Sequence, residues 1–127
     1  MKINSNGKVE KGWGYEIIWG STDKYCGKIL VFDKVGSKMS MHFHKDKDET
    51  WFVNAGKFRL TWIDTETATF HEGTLEEGAV WRNPPLQPHQ LEALEAGSMI
   101  FEVSSADFKE DNYRIIPGDS QTKPSTP

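Results

Sequence analysis

The sequence predicts an all-β fold in one domain, a sandwich or a closed barrel. Three observations carry this. Short runs rich in Val, Ile, Thr, Phe and Trp recur along the chain with turn residues between them. Glycines at 20, 27, 36, 56, 73, 78 and 97 fall at or near the junctions. In Lys57–Asp64, Phe58, Leu60 and Trp62 alternate with Lys57, Arg59 and Thr61, the period of a strand with one buried face. Short strands at regular spacing are the mark of such architectures.

Taken in order, Tyr15–Trp19 and Lys28–Lys34 open the pattern with β-branched and aromatic residues, bounded by Gly20, Gly27 and Gly36. Lys38–His44 follows, with His42 and His44 on one face and Met41 and Phe43 on the other. Thr50–Asn54 ends at Asn54-Ala55-Gly56, a hairpin-turn sequence in which glycine supplies positive φ. After Lys57–Asp64 come Ala68–Glu72 and a second turn sequence, Glu76-Glu77-Gly78, and then Ala79–Arg82. The loop Asn83–Pro88 carries three prolines, each fixing φ near about −65°, and leads into His89–Leu94. In Ser98–Ser104, Met99, Phe101 and Val103 repeat the alternation, and the acidic stretch Ser105–Asp111 has room for a helical turn or two. Residues 1–116 are assigned to the barrel. Residues 117–127 hold three of the six prolines and no large apolar residue, and are expected to form a flexible tail.

Composition narrows the function classes. The 127 residues suit one core. Hydrophobic residues make up only 36%, but five Trp and seven Phe can fill a modest interior. A net charge of −4 gives no general attraction to phosphate backbones, so a nucleic-acid partner is not expected. No apolar run approaches the roughly 20 residues that span a bilayer, and Met1–Gly12 lacks a signal-peptide core. The single Cys26 cannot form an internal disulfide and reads as a small buried strand residue. A cytoplasmic protein with a small-molecule ligand is expected.

Gly36 through Gly56 carries the chemistry. His42 and His44 present two imidazoles side by side on one strand face, about 6.6–6.8 Å apart along the backbone. After the polar stretch Lys45–Asp48, Glu49 opens the next strand and returns a carboxylate beside the pair. His89, at the end of the proline-rich loop, is expected to close the site from a strand across the barrel. Three nitrogens and one carboxylate oxygen suit one divalent transition metal, Mn, Fe, Co, Ni or Zn. Given this chain's own residue frequencies, the Gly-His-His-Glu-Gly spacing arises by chance on the order of one time in ten thousand. His71 lies off this pattern and is expected to face solvent with no function.

By strand parity Trp51 stands two residues from Glu49 and Leu91 two from His89, so both are expected to wall the substrate pocket. Trp62 is expected to complete its floor and Arg59 to offer a basic group for a phosphate. Lys38 shares the parity of His42 and is the candidate base.

Gly36-x5-His42-x-His44-x4-Glu49-x6-Gly56 resembles the first motif of the cupin superfamily at all five positions. Its second motif is similar to Gly78, Pro84 and His89, with Leu86 where the motif has a second glycine and Ala93 where it has asparagine. Together the motifs cover residues 36–93. The resemblance implies a double-stranded β-helix (jelly-roll) barrel, metal ligation by His42, His44, Glu49 and His89, and a homodimer. Lys11-Gly12-Trp13-Gly14-Tyr15-Glu16, with Phe101-Glu102-Val103 and Arg114 near the end, looks like the cupin domain of type II mannose-6-phosphate isomerases. Here Lys11-Gly12 replaces an Arg-Pro pair. This second likeness implies a sugar-phosphate ligand and an isomerase or epimerase in which a metal ion polarises a carbonyl while a base moves a proton. An Fe(II) dioxygenase and a non-catalytic sugar- or metal-binding module are the alternatives.

Overall fold

The computed structural model describes residues 7–122. Two antiparallel sheets face each other. One runs in the order β1 (Lys8–Lys11), β2 (Gly14–Ser21), β3 (Tyr25–Phe32), β10 (Ser98–Ser105), β5 (Glu49–Ala55), β8 (Val80–Asn83). The other runs β11 (Tyr113–Ile116), β4 (Met41–Phe43), β9 (His89–Ala93), β6 (Lys57–Asp64), β7 (Thr69–Glu76). From β4 to β9 the chain crosses between the sheets at every step except β6 to β7, which pair with each other in one sheet. Inward residues of both sheets interdigitate to form the core, with Trp51, Val53, Phe58, Leu60, Leu91, Ala93 and Ile100 all fully or almost fully buried. Trp13 caps that core by stacking on Phe32, with ring centroids 4.4 Å apart.

Each strand of the periodic pattern is present, and three local expectations change. The turn sequences Asn54-Ala55-Gly56 and Glu76-Glu77-Gly78 do not close hairpins. They are corners at which the chain leaves one sheet for the other, because β5 and β8 lie in one sheet and β6 and β7 in the other. Gly56 has φ of +82°, and a Cβ there would strike the Ser98 side chain, so the corner admits only glycine without rearrangement. Gly73 does not end a strand. It pairs with Leu60, and β7 runs on to Glu76, burying Leu75. Ser105–Asp111 forms no helix, and the one short helix among the described residues is α1 (Asp119–Thr122). The edge strands β1 and β11 escape the pattern because they are four residues long and mostly exposed.

The segment 117–122, at the start of the expected tail, lies against the barrel. Lys38 donates its backbone N–H to Asp119 Oδ2 at 2.9 Å, and Gly12 N–H donates to Ser120 Oγ at 3.1 Å. Gly118 packs so closely on Met39 and Ser40 that a side chain would collide with their backbone. Residues 123–127 lie outside the described residues, as do residues 1–6 of the barrel assignment.

Candidate metal centre

His42 and His89 are direct cross-strand partners on β4 and β9, so their rings meet on the inner face. His44 follows β4 by one residue and keeps the parity of His42. The ring centroids lie 5.1 Å apart for His42 and His44, 4.6 Å for His42 and His89, and 5.6 Å for His44 and His89. One nitrogen from each ring falls within 4.8 Å of the other two. Glu49 completes the cluster from β5 in the opposite sheet, with Oε1 2.8 Å from His89 Nε2 and 3.7 Å from His44 Nε2. The expectation for His89 is corrected here: it stands on the strand adjacent to His42, and Glu49 is the group that reaches from across the barrel.

The outer nitrogens fix which atoms face inward. Nδ1 of His42 lies 2.8 Å from the Ser40 carbonyl, Nδ1 of His44 2.6 Å from the Asp111 carbonyl, and Nδ1 of His89 3.0 Å from the Gln87 carbonyl. A carbonyl only accepts, so each Nδ1 carries the hydrogen and each Nε2 presents a lone pair to the interior. Such backbone anchoring is how metal-binding histidines are oriented. Burial, with its neighbours His89 and His44, keeps His42 well below the ordinary histidine range, and burial likewise lowers His44 against the pull of Glu49. Both rings are therefore neutral. His89 Nε2 is buried with no hydrogen-bond partner, and Glu49 Oε1 lies 2.8 Å away. An unpartnered nitrogen beside an acceptor-only carboxylate fits a shared cation between them. The donor set therefore suits a divalent ion.

The stretch Lys45–Asp48, polar in sequence, contains the residue that orients Glu49. Lys47 is 4% exposed, and its Nζ lies 3.5 Å from Glu49 Oε2, 3.2 Å from Glu102 Oε2 and 3.3 Å from Asp107 Oδ1. Burial disfavours its charge, but Glu102, Glu49 and Asp107 together raise it, so it remains a cation. With Oε2 held by Lys47, Oε1 is left facing the three rings. Glu102 also accepts from Trp51 Nε1 at 3.0 Å, and burial and the Glu49 charge raise it to about 7 despite Lys47. Asp107 and Glu16 are matched in turn by Lys28, at 2.9 Å and 3.7 Å.

A cavity of about 520 Å³ opens onto His42, His44 and Glu49 and is lined by Trp13, Trp51, Lys47 and Glu102 among others. Of the expected pocket residues only Trp51 lines it. Leu91 is sealed in the core. Arg59 is on the outside, paired with Glu72 at 2.9 Å and Glu92 at 3.4 Å. Trp62 packs between Trp81 and His71 and borders a separate groove with Pro84–Gln87. Lys38 does not line the cavity; its backbone forms an isolated bridge to Glu92. His71 is exposed, as expected. Sequence reading missed Lys47, Glu102, Glu16, Lys28 and Asp107, because charged residues in strands and loops ordinarily face solvent. Parity misled at β10: the alternation of Met99, Phe101 and Val103 predicted those residues on the buried face, whereas Ile100 and Glu102 are buried and Phe101 and Val103 exposed.

No family model and no curated protein matches the chain in sequence. In structure it is similar to KdgF from a Halomonas species, with TM-score 0.65 and 21% identity over 76% of this chain and 81% of that one. It is also similar to the capsular polysaccharide assembling protein CapF from Staphylococcus aureus (TM-score 0.73, 18% identity, 86% of this chain and 32% of that one). Oxalate decarboxylase from Bacillus subtilis gives TM-score 0.70 and 22% identity over 91% of this chain and 33% of that one. The chain thus spans about a third of the length of the last two.

Proposed function

We infer a function built on the cupin barrel, the fold shared with these solved structures. We propose that the protein binds one divalent transition metal through Nε2 of His42, His44 and His89 and Oε1 of Glu49, and that it acts on a sugar phosphate or a similar small metabolite as an isomerase or epimerase. The observation that carries the metal assignment is the convergence of three anchored histidines on the unpartnered His89 Nε2 and Glu49. Three nitrogens with one carboxylate accept Mn, Fe(II), Co, Ni or Zn. When bound, such an ion supplies a Lewis acid that polarises a carbonyl oxygen.

The chain's own residues bind and orient around that point. Trp51 offers an aromatic wall beside His89, with centroids 5.3 Å apart, and its indole is fixed by Glu102. Trp13 lines the same cavity, while Ser40, Asn112, Ser120 and Gln121 offer polar groups suited to hydroxyls. The volume falls in the range of small-molecule sites. Two structural neighbours are by name a polysaccharide assembling protein and an oxalate decarboxylase, so saccharides and carboxylates are ligand classes already associated with this fold. The sugar-phosphate reading also draws on the likeness to type II mannose-6-phosphate isomerases.

The experiment is elemental analysis of purified wild type, His42→Ala and His89→Ala. About one ion per chain is expected in the wild type and almost none in either variant, with both variants folded. One retained ion per chain in both would remove the assignment.

A second copy of the chain is proposed as partner. Phe101 is the cross-strand neighbour of Ile29 and Phe52, and Phe52 of Val80, which lays an apolar row across the outer face of the larger sheet. Phe52, Phe101 and Val80 are 41%, 40% and 66% exposed. A row of this kind is self-complementary under a two-fold axis.

A further inference from the structure

The charges lining the cavity are unevenly matched. In its interior every carboxylate has a lysine: Glu16 has Lys11 and Lys28, Asp107 has Lys28 and Lys47, and Glu102 and Glu49 share Lys47. Two further cations line the same cavity, Arg114 and Lys109. Both are exposed, and neither has a carboxylate partner among the described residues. The positive charge left over is therefore at the rim.

Register puts Arg114 beside the metal cluster. It is the cross-strand partner of His42 on the edge strand β11, and His42 in turn partners His89. Cross-strand partners project to the same face at about 4.5–5.5 Å, so Arg114, His42 and His89 form one inward row that ends at the open edge. An edge arginine would ordinarily turn to solvent or to a surface carboxylate. This one, though exposed, borders the cavity, and its five fixed N–H donors are uncommitted to any acid among the described residues.

We infer that Arg114, with Lys109 on the same rim, binds an anionic group of the substrate, a phosphate or a carboxylate, while another oxygen of that molecule faces the His42–His44–His89–Glu49 cluster. This rests on the metal-site reading for the second contact only. The planar guanidinium matches either anion in bidentate fashion, and lysine at the same place would supply charge without the fork.

The test is calorimetric titration of manganese-loaded protein with mannose 6-phosphate, glucuronate and mannose. At least one anionic probe is expected to bind about tenfold or more tightly than mannose, and whichever anion is preferred identifies the group. Arg114→Gln should lose about tenfold or more of that affinity, and Arg114→Lys should recover part of it, with metal content and melting temperature unchanged because the side chain is exposed. Equal affinity of wild type and Arg114→Gln for the preferred anion would overturn the inference. So would a wild type that favours mannose or binds no probe at roughly 10 mM, a weak affinity by any measure. If the wild type takes up no manganese, the metal reading falls separately, and the same titration of metal-free protein still decides the role of Arg114.

Discussion

Leu86 shows how a residue can depart from a motif while its backbone keeps to it. It occupies the position of the second motif's second glycine, and its φ is +71°, a left-handed conformation that costs a leucine on the order of 1–3 kcal/mol. The loop tolerates this because Leu86 N–H donates to the His44 carbonyl at 2.7 Å, tying the proline loop to the ligand strand. Its side chain is 55% exposed, so little burial offsets the strain. Leu86→Gly should therefore stabilise the protein by about 0.5–1 kcal/mol after the extra unfolded-state entropy of glycine is subtracted. Chemical denaturation measures this, and an equal or lower stability would show that the leucine is not strained. The sequence revealed the substitution but not its sign, since φ at a non-glycine residue is invisible in composition.

At the scale of elements, the ligand loop 45–48 is held by a residue more than sixty positions away. The Asp111 carboxylate accepts from the backbone N–H groups of Lys45 at 2.6 Å, Asp46 at 3.1 Å and Lys47 at 3.0 Å, while its carbonyl accepts from His44 Nδ1. Burial would raise this carboxyl, and the three amides outweigh burial and hold it below its usual range. Asp111→Ala should leave those amides unpaired, destabilising the fold by about 2 kcal/mol and weakening metal affinity by about tenfold or more. Unfolding curves and chelator competition measure the two effects; no change in either would mean the loop is held by other contacts. The strands themselves were legible because one buried face imposes a period of two. Their partners were less so. Asn54-Ala55-Gly56 has the residues of a hairpin, and only the three-dimensional path makes it a corner. The buried Lys47 was illegible for a related reason, since its three acids come from Glu49, Glu102 and Asp107 on separate segments.

For the molecule as a whole, the double-stranded β-helix brings residues 42, 44 and 89 to one sheet and residue 49 to the other, so the cluster exists only when both sheets close. Spacing picked out His42, His44, Glu49 and His89 as one group, and the fold brings them together, whereas Arg59, Trp62 and Leu91 do not line the cavity. Parity tells inward from outward, but not which end of a barrel is open. In this barrel Trp13, Trp51 and the lysine–carboxylate network line the open end, and Trp62 with Trp81 lies away from it. The apolar row on the outer sheet gives a further prediction at this scale: Phe101→Arg should convert a dimer to a monomer in analytical ultracentrifugation, and a wild type that is monomeric at high concentration would refute the proposed interface. The most direct test of the central claim is a crystal of metal-loaded protein with anomalous scattering recorded at the metal edge. A single peak is predicted about 2.0–2.2 Å from Nε2 of His42, His44 and His89 and from Oε1 of Glu49. A peak elsewhere, ligation through Nδ1, or no peak after loading would contradict it.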